Sequence, residues 1–247
     1  MSIESIKAII GSDCVLYFSF EERGGDKAYD LSGNNNHGTI YGARWTYGKI
    51  GRALSFDGVD DYAKVEPFTV YGWKGISIVR WVKLPSYKPN TYHSKSFMIG
   101  DFWTDKPSFF HAYLNTNTIS RVSVYFVTRK PDGTDGRYGW SIKVLDKWVF
   151  VVDTFDLESR VRKGYLNAEL KYSATIPENE KTILEWNPDT ATYPIRYKRF
   201  TIGCAVFFWE FVNEVVDEVM IFNRALSEKE IKSLYYRALK AHQAVQI

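Results

Sequence analysis

The chain of 247 residues is 45% hydrophobic, 25% charged and 17% aromatic, which fits an ordinary soluble globular protein. Its net charge is only +3 and its basic residues are scattered, which excludes an arm that binds nucleic acid. Two cysteines exclude a disulfide-rich scaffold, and no apolar run approaches the roughly 18 residues of a membrane span.

The N-terminal residues 1–12 are predicted to be an extension, with a short helix over 2–10. They contain no basic segment followed by a clean apolar one, so no secretory signal is predicted. The location is left open between the inside of a cell, a virion or similar particle, and the outside of a cell after removal of a signal. Cys14 and Cys204 lie in apolar runs, which favours buried thiols, with a bridge between them as the alternative.

From residue 14 onward, most of the chain is predicted to form β-strands separated by turns. β-Branched and aromatic runs predict strands, and clusters of Gly, Asn, Asp and Pro predict their connections. DLSGNNNHG (30–38) is predicted to be a loop, DGVD a tight connection, and KGYLNAEL a hairpin with Asn167 and Ala168 near its tip. The main predicted strands are CVLYFSF, RALSFDG, DYAKVEPF, ISIVRWVKL, SKSFMIGDFW, SFFHAYLN, SRVSVYFVTRK, WSIKV, KWVFVVDTFD, RFTIGCAVFFW and VVDEVMIF.

The chain ends in a predicted helix over 227–245. Ser227 and Glu230 have the spacing of a capping box, and an apolar stripe follows at helical spacing, formed by Ile231, Leu234, Tyr235 and Ala238. About a dozen strands precede this helix without intervening helices. We therefore predict an all-β fold, an antiparallel β-sandwich of jelly-roll type with a C-terminal capping helix.

In the last predicted strand, VVDEVMIF, a carboxylate lies among apolar residues. Strict alternation places Asp217 on the face of Val215 and Val219, and Val216 and Met220 on the other face. A strand that is apolar on both faces should not carry a carboxylate without a partner. Asp217 is therefore predicted to have a partner in another segment of the chain.

Several separated stretches resemble the laminin G-like, concanavalin A-like lectin/glucanase family of jelly-roll domains. The most specific are YFSFEE (17–22), GKIGRALSFDGVDDYAKV (48–65) and VVDEVMIFNRALSEKEIKSLY (215–235), and all occur in the family's order. The resemblance implies one domain over 1–247. The sequence departs from the family pattern in the hairpin at 164–167, and it matches poorly over 87–145.

Hydrolysis on this fold needs two carboxylates that point into one cleft. Glu214 and Asp217 are three residues apart and are predicted to face opposite sides. Glu214 and Glu218 are predicted to share a face, but about 13 Å apart along a strand. That distance is too long for a retaining pair, so no catalytic residue is predicted, and a polysaccharide hydrolase or lyase is the least favoured function.

A calcium ion is implied by the resemblance, because such domains often hold one between the loop after the first strand and the acid of the last strand. By position, its ligands would be Asp30 and Asp217, with oxygens added by Glu21 and Asn35. The alternative is that Asp30 forms a turn within its own loop and Asp217 accepts amide hydrogens. A second acidic turn, more typical of a solvated hairpin, contains Asp57, Asp60 and Asp61.

Carbohydrate binding needs exposed aromatic rings that stack on a sugar, with polar groups beside them. The candidates are Trp103 and Trp209, followed by Tyr92 and His93 in the predicted loop after LPSYKPN. For each of them the alternative is a place in the hydrophobic core, because a sandwich must bury many aromatic side chains.

We therefore expect a non-catalytic recognition module for a glycan or glycoprotein, with a structural calcium. A structural or assembly protein of a virion or cell-surface particle, with a protein partner, is the alternative hypothesis. No nucleic-acid partner is expected.

Overall fold

The computed structural model describes residues 11–83, 92–100, 107–116, 119–142, 146–190 and 198–245. Within them, sixteen strands form two eight-stranded antiparallel sheets, sheet A and sheet B, and one helix follows. Sheet A contains β1 Cys14–Phe18, β4 Arg44–Tyr47, β5 Arg52–Asp57, β7 Gly75–Lys83, β12 Trp148–Asp156, β13 Val161–Leu166, β14 Glu169–Thr175 and β16 Asn213–Phe222. Sheet B contains β2 Lys27–Ala28, β3 Gly38–Tyr41, β6 Tyr62–Val65, β8 Tyr92–Ile99, β9 Ser108–Thr116, β10 Ile119–Arg129, β11 Asp135–Ile142 and β15 Phe200–Ile202.

The order of strands shows that the chain crosses repeatedly between the two sheets. Sheet A runs β14-β13-β12-β7-β16-β5-β4 with β1 also paired to β16, and sheet B runs β11-β10-β9-β8-β15-β6-β3-β2. The predicted all-β antiparallel sandwich with a C-terminal helix is therefore confirmed. The DGVD connection is not a hairpin, because β5 and β6 on either side of it belong to different sheets.

The hydrophobic core lies between the sheets, and a second apolar layer lies on the outer face of sheet A. Along β7, Ile76, Ile78 and Val82 belong to the inner core, whereas Val79 and Trp81 belong to the outer layer. Both faces of β7 are thus covered, which explains why its sequence is a nearly continuous apolar run. Cys14 and Cys204 are buried free thiols, as the sequence favours.

Helix α1, Glu228–Val245, covers the outer face of sheet A. Ile231, Leu234 and Ala238 of the predicted stripe are buried there, and the partly buried Tyr235 stacks its ring on Trp81 with 5.6 Å between centroids. The predicted capping box is also present, since the Ser227 amide donates to Glu230 Oε2 (2.8 Å) and the Glu230 amide to Ser227 Oγ (3.4 Å). In the described part of the chain, no helix combines the length and apolar character needed to cross a bilayer.

Replacement of the cap should weaken the docking of this helix. We expect Ser227→Ala to lower the free energy of unfolding by about 1 kcal/mol, because the first turn of α1 loses a side-chain acceptor. Urea unfolding would measure the change, and Ser173→Ala would be the control, since that serine is exposed on β14, distant in sequence from the helix. Equal stability of the Ser227→Ala variant and the parent would contradict the assignment.

A β-bulge in β16 changes which side chains face the core. The register against β7 shifts between Asp217 and Met220, and Glu218 has a positive φ of 52°. Val216 and Val219 consequently both belong to the inner core. The predicted placement of Asp217 on the face of Val219 is therefore wrong, because a bulge adds an unpaired residue and breaks the alternation.

The same bulge separates two acids that were predicted to share a face. Ser96 Oγ, on sheet B, donates to both oxygens of Glu214 (2.8 and 2.6 Å), so Glu214 lies between the sheets, within 3.8 Å of Arg80. Glu218 instead accepts a hydrogen bond from Tyr17, which belongs to the outer layer. Glu214 and Glu218 thus lie on opposite faces of β16.

A second buried ion pair lies between the sheets. Asp153 Oδ1 accepts hydrogen bonds from Arg162 Nη2 (2.8 Å) and Trp140 Nε1 (3.0 Å), and Arg162 also donates to the Tyr138 carbonyl. Both charged side chains of the pair are fully buried. Because β11 lies in sheet B, these bonds connect the two sheets.

The hairpin between β13 and β14 is confirmed. Its two connecting residues, Asn167 and Ala168, have φ values of 52° and 63°. Two successive positive φ angles are those of a type I′ turn, whose twist suits a two-residue hairpin.

Candidate functional site

The Asp30 carboxylate is held by hydrogen bonds from its own loop and from β1. Its Oδ1 accepts from the backbone amides of Tyr17 (2.9 Å) and Ser32 (2.9 Å), and its Oδ2 from Ser32 Oγ (2.8 Å) and the Asn36 amide (3.0 Å). Four donors occupy the lone-pair positions of a carboxylate. Asp30 therefore organises the 30–38 loop, and Asn35 lies exposed in that loop with a φ of 59°.

Asp217 contacts a different loop from the one predicted. Its Oδ2 accepts the backbone amide hydrogen of Ile50 (2.9 Å), in the GKIG stretch at 48–51. Its neighbour Glu218 accepts from the Tyr17 hydroxyl (2.7 Å). Glu21, which follows β1, accepts from the Arg52 amide at the end of the same GKIG stretch (2.9 Å). Asp217 thus fastens the last strand to residues 48–51 through an amide hydrogen.

The negative charges of Glu21 and Glu218 shift the pKa values of acids in this region. Burial raises the pKa of Asp217 well above its usual value, and the negative charges of Glu218 and Glu21 raise it further. Burial also raises the pKa of Glu218 to about 7. The hydrogen bond from Tyr17 lowers this pKa, and the negative charge of Glu21 raises it. Glu21, Asp217 and Glu218 therefore interact electrostatically; Glu21 and Asp217 were predicted as ligands together with Asp30 and Asn35, whereas Glu218 was not.

Of the predicted sugar-binding residues, Trp209 is described with its side chain. It is 57% exposed, between the buried Val206 and Val212. Trp103 lies outside the described residues. Tyr92 and His93 begin strand β8 rather than lying in a loop, and their side chains are outside the described part of the structure. Trp81 and Trp148, by contrast, pack in the outer layer of sheet A.

The turn that carries Trp209 is closed by backbone hydrogen bonds. The Ala205 amide donates to the Trp209 carbonyl (2.9 Å), and the Phe208 amide donates to the Ala205 carbonyl (2.9 Å). Phe208 and Glu210, on either side of Trp209, have φ values of 60° and 56°, which are costly for residues other than glycine. An exposed tryptophan is therefore presented on a fixed, strained turn.

Aromatic rings from two strands continue from this turn across sheet B. Tyr41 stacks on Tyr62 (4.4 Å between centroids), and Tyr62 stacks on Phe208 (4.7 Å). Tyr41 is 39% exposed. We call this set the aromatic surface; its members are Tyr41, Tyr62, Phe207, Phe208, Trp209 and Phe211.

Charged side chains lie against the aromatic surface. Glu66 accepts hydrogen bonds from Arg199 Nε and Nη2 (both 3.0 Å) and from Lys64 Nζ (3.1 Å). Burial alone would raise the pKa of Glu66, but these hydrogen bonds outweigh burial and lower it. The Arg199 guanidinium lies 4.4 Å from the centroid of Phe208. Polar groups that could bind ligand hydroxyls thus adjoin the rings.

The acidic turn precedes Tyr62 in the chain. Carboxylate oxygens of Asp57, Asp60 and Asp61 lie within 4.8 Å of one another. Asp57 accepts the Val59 amide (2.8 Å) and Asp61 the Asp57 amide (3.0 Å), so hydrogen bonds within the turn account for its shape.

Tyr41, Tyr62 and Phe208 were not identified from the sequence. Tyr41 and Tyr62 are directly paired across β3 and β6, whereas they are 21 positions apart in the chain. The alternation of Tyr62 and Lys64 with Ala63 and Val65 does indicate one outward face. The pairing with β3, and the packing of Phe208 on it, depend on the tertiary fold.

A family model described as the concanavalin A-like lectin/glucanases superfamily matches residues 57–232. No curated protein matches the sequence. Solved structures with the same fold include the binding domain of botulinum neurotoxin serotype D, with a TM-score of 0.66 and 15% identity over 92% of this chain and 52% of that one. The receptor binding domain of botulinum neurotoxin type G has a TM-score of 0.61 and 16% identity, over 91% and 51% of the two chains.

The binding domain of Paraclostridial Mosquitocidal Protein 1 has a TM-score of 0.64 and 14% identity, over 90% of this chain and 52% of that chain. The protein therefore spans about half the length of these structures, and at such identities the likeness shows the fold. The family model covers more than half of the 247 residues. The chain belongs to the concanavalin A-like lectin/glucanase superfamily.

Proposed function

We propose that the protein is a non-catalytic recognition module that binds carbohydrate, on a glycan or glycoprotein, at the aromatic surface. The observation that carries this proposal is the exposed Trp209 on its strained, hydrogen-bonded turn. Tryptophan and tyrosine give much contact area for little loss of conformational entropy, and they dominate binding sites for that reason. A ring that is already fixed before binding loses less conformational entropy when the ligand binds.

The polar groups beside the stacked rings of Tyr41 and Phe208 support a ligand that is both apolar and polar. A sugar ring has one face of C–H groups, which suits an aromatic ring, and hydroxyls that suit charged partners. Lys64 and Glu66, both partly exposed, lie beside the stacked rings and could exchange hydrogen bonds with hydroxyls. The similar solved structures are binding or receptor binding domains, which agrees with a recognition role.

The placement of Glu214 supports the non-catalytic part of the proposal. Its carboxylate lies between the sheets against Ser96 and Arg80, while Glu218 lies on the opposite face. A glycosidase pair needs both carboxyl groups about 5–10 Å apart around one bond. These two acids face opposite sides of β16 and do not flank a common cleft.

A glycan array tests the proposal, with the parent protein, Trp209→Ala and Tyr236→Ala. Tyr236 is equally exposed (58%) but lies on α1, so its replacement controls for the loss of a surface aromatic. We expect the parent to bind a defined set of glycans, Trp209→Ala to bind at least about tenfold more weakly, and Tyr236→Ala to be unchanged. A parent that binds no glycan at millimolar concentration would contradict the proposal and favour an assembly role, which light scattering would then reveal as self-association.

A further inference from the structure

The outer face of sheet B carries a row of three polar side chains beside the aromatic surface. Lys27 on β2 pairs with Thr39 on β3, and Thr39 pairs with Lys64 on β6. Residues that are directly paired across antiparallel strands project to the same face of the sheet. The neighbours Ala28 and Ala63 belong to the inner core, so the row of Lys27, Thr39 and Lys64 faces outward.

This row continues into the aromatic surface. Because side chains alternate along a strand, Tyr41 shares the face of Thr39, and Tyr62 shares the face of Lys64. The Lys64 ammonium lies 5.8 Å from the centroid of the Tyr41 ring and 5.5 Å from that of Phe208. A ligand that covers the Tyr41 ring therefore comes within reach of the Lys64 ammonium.

The charge of Glu66, two residues after Lys64, is balanced mainly by Arg199. Arg199 donates to both Glu66 oxygens through Nε and Nη2 (both 3.0 Å), and Lys64 Nζ donates one hydrogen bond to Oε2 (3.1 Å). An ammonium group has three N–H donors. Two donors of Lys64 are thus left for a ligand, and Glu66 supplies one negative charge against the positive charges of Lys64 and Arg199.

Lys27 adds a second ammonium group to the row. It is exposed, and it forms no ion pair with any acid among the described residues. Its Cα lies two strand spacings, about 10 Å, from that of Lys64. Two lysine side chains at this separation can approach one anionic group from opposite sides, with the Thr39 hydroxyl between them as a further donor.

Positive and negative charges lie at opposite ends of β6. The acidic turn that contains Asp57, Asp60 and Asp61 precedes Tyr62, whereas Lys64 follows it. Opposite charges attract a ligand and like charges repel it, so the charge pattern also orients the ligand. An anionic group is favoured at the Lys64 end of the aromatic surface and disfavoured at the acidic end.

We infer that the glycan bound at the aromatic surface is acidic: a sugar bearing a carboxylate or a sulfate packs on Tyr41 and directs its anionic group between Lys27 and Lys64. Thr39 donates a hydrogen bond to the same group. This inference rests on the proposed carbohydrate binding at the aromatic surface and adds the charge of the ligand to it. The rings supply contact area, and the two lysines select the acidic sugar.

Matched pairs of immobilised oligosaccharides test the inference on the full chain. The members of one pair end in glucuronic acid or in glucose, and those of the other end in galactose 6-sulfate or in galactose, on otherwise identical chains. We expect the parent to bind an acidic member at least about tenfold more tightly than its neutral counterpart. The difference should shrink as the salt concentration is raised, because exposed charges are screened. The two pairs distinguish a carboxylate from a sulfate.

Three lysine variants locate the selection for charge. Lys27→Gln and Lys64→Gln should each lower the ratio of acidic to neutral binding at least about threefold. The exposed Lys27 can be replaced without disturbing the core. Lys171→Gln is the matched control, because this lysine is also exposed but lies on β14 of sheet A, and it should keep the ratio of the parent.

The outcomes separate this inference from the proposed function. If the parent binds neutral glycans as tightly as their acidic counterparts, carbohydrate binding stands and the inference is overturned. It is likewise overturned if Lys27→Gln and Lys64→Gln both keep the ratio of the parent, or if Lys171→Gln lowers that ratio as much as they do. A parent that binds no glycan, acidic or neutral, contradicts the proposed function and the inference together.

Discussion

Replacing Asp153 with asparagine will lower the free energy of unfolding by about 3–5 kcal/mol, because it leaves the Arg162 guanidinium charged and buried without its carboxylate. The two side chains are 2.8 Å apart, and Arg162 and Asp153 are 0% exposed. Asparagine keeps the shape of aspartate, so the effect reports the charge rather than a cavity. The same oxygen also accepts from Trp140, which joins sheet A to sheet B.

Urea unfolding measures this effect, and two variants control it. Glu169→Gln removes one partner of an exposed pair, Lys171 and Glu169 at 2.6 Å, and should change stability little because solvent screens that pair. A double variant, Asp153→Leu with Arg162→Met, removes both buried charges and should recover most of the loss. An Asp153→Asn protein as stable as the parent would show that the pair is not needed to join the sheets.

The free energy of unfolding will fall by about 3 kcal/mol through Glu218 as the pH rises from 4.5 to 7. Burial raises the pKa of this carboxyl in the folded chain to about 7, from 4.5 for an ordinary glutamate. The folded chain therefore holds this proton more tightly than the unfolded chain. The resulting stabilisation is complete below pH 4.5 and is lost as the pH passes through about 7.

Glu218→Gln isolates this contribution, because glutamine stays neutral at every pH. Its stability should fall less than that of the parent over this pH range, as followed by urea unfolding at half-unit steps, and the fall that remains comes from Asp217, whose pKa is also raised. A carboxylate whose pKa is lowered has the opposite effect on stability. Hydrogen bonds from Arg224 and Ser227 lower the pKa of Glu230 to about 2, so its contribution to the free energy of unfolding is lost only as the pH falls toward that value. Parallel pH curves for the parent and the variant would contradict the assignment.

Local patterns in the sequence were sufficient to predict much of the fold. The capping box at Ser227 and the turn at Asn167 and Ala168 depend on residues within a few positions of each other, and both are present in the structure. Strand runs such as β7 are also local. The DGVD connection was wrongly predicted as a tight hairpin, because sheet membership is decided by packing between distant strands.

The candidate sites could be predicted only in part. The exposure of Trp209 depends on how residues 203–212 fold over sheet B, which composition does not show. The partner of Asp217 was predicted as the 30–38 loop, but a bulge and the GKIG glycines bring residues 48–51 to it instead. Glu218 was not among the predicted ligands, because these were carried over by position from the family resemblance.

The fluorescence of Trp209 tests most directly whether the aromatic surface binds carbohydrate. Titration with a glycan selected on the array should protect tryptophan from acrylamide quenching, because the ligand would cover a ring that is 57% exposed in the free protein. The protection should disappear in Trp209→Phe, which retains a ring but removes the signal. Protection that persists unchanged in this variant, or binding without any protection in the parent, would place the ligand elsewhere and contradict the proposed site.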